Sequence, residues 1–84
     1  MMALYTILGV HINNRVTNSG VVQEVLTKFG CSIKTRLGLH KTDEVSCSSD
    51  GLLILEVVGN QKEIDDLEKA LRDIKGINVQ KMIF

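Results

Sequence analysis

The chain has 84 residues, 44% of them hydrophobic and 24% charged, and its formal net charge is zero. That length is one domain, able to bury roughly 60–65% of its unfolded surface, and the neutral balance gives no overall attraction to nucleic acid or to an anionic membrane. Two cysteines, Cys31 and Cys47, are too few for a disulfide framework. No apolar run approaches the ~20 residues that a membrane helix needs. Met1 to Val10 lacks a basic start and alternates in polarity, so a strand rather than a signal peptide is expected, and a cytoplasmic location with it.

The first strand is expected over Ala3–Asn13. Leu4, Leu8, Val10 and Ile12, with Thr6 among them, would line one face, and Ala3, Tyr5, Ile7, Gly9 and His11 the other. Gly9 marks either a small bulge or the close approach of another backbone or a ligand. Asn13 to Gly20 reads as a turn and helix start, in which Asn14, Thr17, Asn18 and Ser19 could each be an N-cap. A helix to about Phe29 would bury Val22, Val25, Leu26 and Phe29, and Gly30 would end it in the C′ position.

Cys31 to His40 alternates as a strand with one buried face. Cys31, Ile33, Thr35, Leu37 and Leu39 point one way, and Ser32, Lys34, Arg36, Gly38 and His40 the other. After a polar connection, Lys41–Asp50, the stretch Gly51–Gly59 is apolar nearly throughout and reads as a strand covered on both faces. The two strands would form a central hairpin. Asn60 with Glu63 makes an approximate capping box for a second helix, whose stripe Ile64, Leu67, Leu71 and Ile74 faces inward. Lys62, Asp65, Asp66, Glu68, Lys69, Arg72 and Asp73 form its solvated face, and Gly76 ends it. Ile77–Phe84 is the last strand, with Ile77, Val79 and Ile83 on one face and Asn78, Gln80 and Met82 on the other.

The order β-α-β-β-α-β, with helices apolar on one side only, predicts an α+β fold. It is the ferredoxin-like split β-α-β sandwich, a four-stranded antiparallel sheet with both helices on one face. Right-handed crossovers put strands one and three at the centre. The open face would then carry Tyr5, Ile7, Gly9 and His11, with Leu52, Ile54, Glu56 and Val58 beside them and Lys34, Arg36 and His40 at one side. If Arg36 lies opposite Glu56, Gly38 lies opposite Ile54 and His40 opposite Leu52. A small domain rarely leaves so apolar a centre in water, so a second copy is expected to cover it, most simply in a two-fold dimer.

Chemistry-bearing patterns are few. No Ser-His-Asp or Cys-His pair has an interpretable spacing, no iron–sulfur cysteine set exists, and a non-enzymatic role is expected. An RNA-recognition module on this fold needs stacked aromatics on the central strands, where only Tyr5 is present. An acylphosphatase would use an arginine such as Arg15 in the first turn, but its glycine-rich, aromatic surroundings are missing. Arg15 and the helix start could still hold an anion. His40 and Cys47 flank one end of the hairpin and could contribute to a soft metal site completed by another subunit.

The motifs I-K-T-R-L-G-L-H (Ile33 to His40), G-L-L-I-L-E-V-V-G (Gly51 to Gly59) and I-K-G-I-N-V-Q-K-M (Ile74 to Met82) together resemble the ACT-like family of iron-only hydrogenase system regulators. That resemblance covers nearly the whole chain. It implies one self-associating regulatory domain over residues 1–84, related in shape to amino-acid-sensing ACT domains and to the metal-sensing domain of nickel-responsive repressors. In ACT domains the effector often sits near the first strand–helix turn at a subunit interface. By position this implies His11, Asn13, Asn14, Arg15 and nearby Gly20. The nickel sensors carry histidines and a cysteine near the central hairpin, where His40 and Cys47 are comparable. The function implied is binding of a small effector, with a homodimer or homotetramer and a partner protein as associates. The alternatives are a ligand-free oligomeric scaffold and a metal-binding module using His40 and Cys47.

Overall fold

A computed structural model describes residues 4–13, 15–39 and 51–84, and the side chains of residues 15–19 lie outside that description. The elements are β1 (Thr6–Ile12), α1 (Arg15–Lys28), β2 (Ile33–Leu39), β3 (Gly51–Val57), α2 (Gln61–Arg72) and β4 (Ile77–Ile83). They form a four-stranded antiparallel sheet in the order β2-β3-β1-β4, the expected ferredoxin-like α+β sandwich.

The core lies between the helices and one face of the sheet. Leu8, Val10 and Ile12 of β1 and Leu53, Leu55 and Val57 of β3 are buried there, against Val22 and Leu26 of α1 and Ile64, Leu67 and Leu71 of α2. Burying such aliphatic side chains contributes about 1.5–3 kcal/mol each before ordering costs. Leu4 was expected on this face and is instead 83% exposed, because the regular strand begins only at Thr6.

Helix α1 starts at Arg15, so the expected turn to Gly20 is shorter than its polar composition suggested. Gly30 is not in a left-handed conformation. It opens a 3-10 turn, Gly30–Ser32, which buries Ser32 and leaves Cys31 exposed, against the expectation that Cys31 is a buried strand residue.

The ends of α2 follow the sequence closely. The Asn60 side chain accepts a hydrogen bond from the Glu63 backbone N–H at 2.8 Å, and its amide donates to Glu63 Oε1 at 3.1 Å. Gly59 and Gly76, at φ +116° and +84°, turn the chain into and out of the helix in backbone conformations that L side chains rarely adopt. The Gly76 carbonyl accepts from the Asn13 N–H at 3.0 Å, which ties the two chain reversals at this end of the sheet together.

Glu68 was expected in water. It is only 15% exposed, because Lys81 of β4 and Arg72 close over it, each donating at 2.8 Å. Arg72 also donates to the Val79 carbonyl at 2.8 Å, locking α2 onto the sheet edge. The Lys81 hydrogen bond holds the Glu68 carboxyl below its ordinary value of 4.5, with burial opposing and Arg72 assisting. A depressed carboxylate stabilises the fold fully above its unfolded pKa, and that contribution is lost as pH falls through the folded value.

Two outcomes follow from these contacts. Asn60→Ala should cost about 1 kcal/mol in urea denaturation, since it removes an N-cap acceptor. Glu68→Gln should give a shallower loss of stability than wild type as pH falls from about 6 to about 3, read from urea midpoints.

Candidate functional site on the open sheet face

Strand pairing fixes which residues share the face away from the helices. Asn78, His11, Leu52 and Leu39 form one row across the sheet, and Gln80, Gly9, Ile54 and Leu37 the next. Met82, Ile7, Glu56 and Thr35 form the third. Tyr5 pairs with Phe84 beyond it, with hydrogen bonds of 3.2 and 2.9 Å, and Val58 continues β3 on the same side.

This arrangement corrects the expected register of β2. Ile33 lies opposite Val57 and Thr35 opposite Glu56, so Lys34 is an extra residue in the ladder, a β-bulge. A one-residue insertion reverses every side chain beyond it. Arg36 and Gly38 therefore pair with Leu55 and Leu53 on the helix side, not with Glu56 and Ile54. Leu37 and Leu39, expected in the core, stand on the open face at 52% and 44% exposure. The polar contacts agree with the shift: Thr35 Oγ1 donates to Glu56 Oε1 at 3.1 Å, and Lys34 Nζ lies 4.0 Å from Glu56 Oε2. Strand β3, expected to be covered on both faces, leaves Leu52 37% exposed.

Over the first two rows of this face, between β3 and β4, is a concavity of about 250 Å³ lined by Gly9, His11, Leu52, Asn78 and Gln80. Its floor is Gly9. The strand is regular there, with unbroken pairing on both sides, so Gly9 makes no bulge. A Cβ at Gly9 would approach nothing nearer than the Gln80 carbonyl, 3.9 Å away. Absence of a side chain in the middle row, between the bulkier Ile54 and Gln80, leaves the depression. Leu52 stands on the β3 side and the carboxamides of Asn78 and Gln80 on the β4 side, with the His11 imidazole between them on β1. These groups supply both donors and acceptors beside an apolar surface, the composition of a small-ligand site.

Of the residues implied as effector-binding, His11 lies in this concavity. Asn13 follows at the end of β1 and is exposed, and Arg15 is the first residue of α1. Gly20 lies on α1, with nothing within 4 Å of where its Cβ would stand. Asn14, His40 and Cys47 lie outside the described residues. Among the described residues no group of three His, Cys, Asp or Glu side chains could hold a metal ion. Asn78 and Gln80 were missed as lining residues. Their signal was available, because the polar side of the last strand must meet Gly9 and His11 once β4 pairs with β1.

No protein-family model and no curated protein matches the chain. Solved structures do. The chain is similar to the uncharacterised protein TM1266 from Thermotoga maritima, at a TM-score of 0.80 and 22% identity over 95% of both chains. It is also similar to CPII, a nitrogen regulatory PII-like protein from Thiomonas intermedia K12 bound to ADP, AMP and bicarbonate. That match has a TM-score of 0.56 and 11% identity over 95% of this chain and 91% of the other. A formyltetrahydrofolate deformylase from Pseudomonas putida KT2440 matches at a TM-score of 0.57 and 12% identity, over 93% of this chain and 28% of that enzyme. The likeness is one of fold. No described helix is long and apolar enough to cross a membrane.

Gly9→Ala should fold normally and gain about 0.4–1 kcal/mol from the lower freedom of its unfolded chain, because the site accepts a Cβ without strain. Chemical denaturation checks this. A loss of more than ~1 kcal/mol would mean the strand needs glycine for its own geometry.

Proposed function

We propose that the chain is a non-enzymatic, cytoplasmic regulatory domain that binds a small effector in the concavity over Gly9, at a subunit interface. The observation that carries this reading is the concavity itself, a depression of about 250 Å³ in which His11, Asn78 and Gln80 stand beside Leu52. His11 is the proposed direct contact among the residues implied by the sequence motifs, with Asn78 and Gln80 beside it. Asn13, Asn14 and Arg15 are the proposed rim, since they come two to four positions after His11 in the chain. Occupancy would act by population shift: an effector that binds one subunit arrangement better favours it, and a partner protein responds to that arrangement.

The choice of probes follows from the neighbours and the motifs. CPII is bound to ADP, AMP and bicarbonate, and the ACT domains to which the resemblance relates this chain in shape sense amino acids. Thermal unfolding with each of these should show at least one that stabilises the wild type. A ligand at ~100 times its Kd adds about 2.7 kcal/mol, which raises Tm by about 10 °C or more in a domain of this size. Gly9→Leu, which fills the concavity, should lose that shift. No shift with any probe, or an equal shift in Gly9→Leu, contradicts the reading and favours the ligand-free scaffold, which the same apolar face supports.

The system we propose it regulates is an iron-only hydrogenase, on the strength of the three sequence motifs. Deleting the gene in its host should change hydrogenase activity per cell, and an unchanged activity would contradict that assignment.

A further inference from the structure

We propose that the concavity over Gly9 takes an uncharged, planar nitrogen heterocycle, laid on the β1 backbone and paired along its edge with the carboxamides of Asn78 and Gln80. The edge it calls for carries an amino group beside a ring nitrogen, as adenine's does. This names the chemical class of the effector, and it rests on the reading of the concavity as an effector site.

Charge narrows the class first. Among the described residues that line the concavity, none is Lys, Arg, Asp or Glu. The carboxylate on this face, Glu56, stands in the third row and already meets Thr35 at 3.1 Å and Lys34 at 4.0 Å. An amino acid would bring a carboxylate and an ammonium, and bicarbonate an anionic charge. Covering either without an opposite charge is costly. A neutral ligand carries no such cost.

Shape and hydrogen bonding narrow it further. Without a Cβ at Gly9 a flat ring can lie directly on the main chain of a regular strand. Leu52 gives the ring an apolar neighbour on one side. Asn78 and Gln80 share one face of β4, two residues or about 7 Å apart. Each carboxamide offers one donor and one acceptor side by side, and the complement is a ring edge with an amino N–H next to an acceptor nitrogen. The volume of about 250 Å³ lies below the ~300–1,000 Å³ of pockets that hold drug-sized ligands. It suits one ring system, with any attached sugar left at the mouth.

Isothermal titration calorimetry with adenosine, which carries no charge at neutral pH, tests this. Wild type should bind it. Purine riboside, the same ring and sugar without the amino group, should bind about 10-fold more weakly. Asn78→Asp and Gln80→Glu keep the side-chain size and an acceptor but lose the donor, and each should weaken adenosine about 10-fold. Their far-UV circular dichroism should stay native, since both positions are exposed. No binding of adenosine by the wild type overturns the proposal. So does equal binding of purine riboside, or adenosine affinity unchanged in both variants. The thermal shifts separate the two readings. If adenosine fails while an amino acid or bicarbonate stabilises the protein, the class is wrong and the effector site stands; if every probe fails, both fall.

Discussion

Two helices cover one side of a four-stranded sheet, and everything else in this molecule depends on that one-sided coverage. The covered side holds the aliphatic core, the Asn60 cap and the Glu68–Arg72–Lys81 contacts. The sheet's other side faces away from the helices and carries Gly9. In a strand, glycine forgoes packing and β-propensity. Here it leaves a depression between side chains that are otherwise large.

Lys34 has the second strongest effect on that surface. One unpaired residue early in β2 keeps Ile33 against the core and then turns Leu37 and Leu39 outward. Without it the β2 edge would present Lys34, Arg36 and His40, a basic rim. With it the edge presents leucines. A bulge near the start of an edge strand thus exchanges the side chains that face the helices with those that face outward, and changes the character of the open face. The Glu56 carboxylate, reached by both Thr35 and Lys34, sits next to this irregularity and offsets the charge that the extra residue brings.

Most of the fold was legible because its signals are local. The Asn60–Glu63 pair, the stripe Ile64, Leu67 and Leu71, and the alternation of Leu8, Val10 and Ile12 each specify their own surroundings. The bulge was not legible, since the alternation from Cys31 to Leu39 is equally regular in either register. What favours the bulged register is tertiary: Ile33 reaches the core beside Val57, while Gly38 fits under Leu53, 3.6 Å from where its Cβ would stand. Cys31 was misread for a related reason, because the 3-10 turn after Gly30 takes it out of the strand. His11, implied by the resemblance, lines the concavity. Asn78 and Gln80 needed the pairing of β4 with β1, which joins residues more than sixty positions apart in sequence.

The central claim is that the open face, in the bulged register, is both the effector's floor and the contact between copies. An isotope-filtered nuclear Overhauser experiment on a mixture of labelled and unlabelled protein tests it most directly. Intermolecular signals should arise at the methyl groups of Leu37, Leu39, Leu52 and Ile54, with none at Val22, Leu26 or Leu67 in the core. Intermolecular signals confined to the helices, or none at all at micromolar to millimolar concentration, would contradict the account.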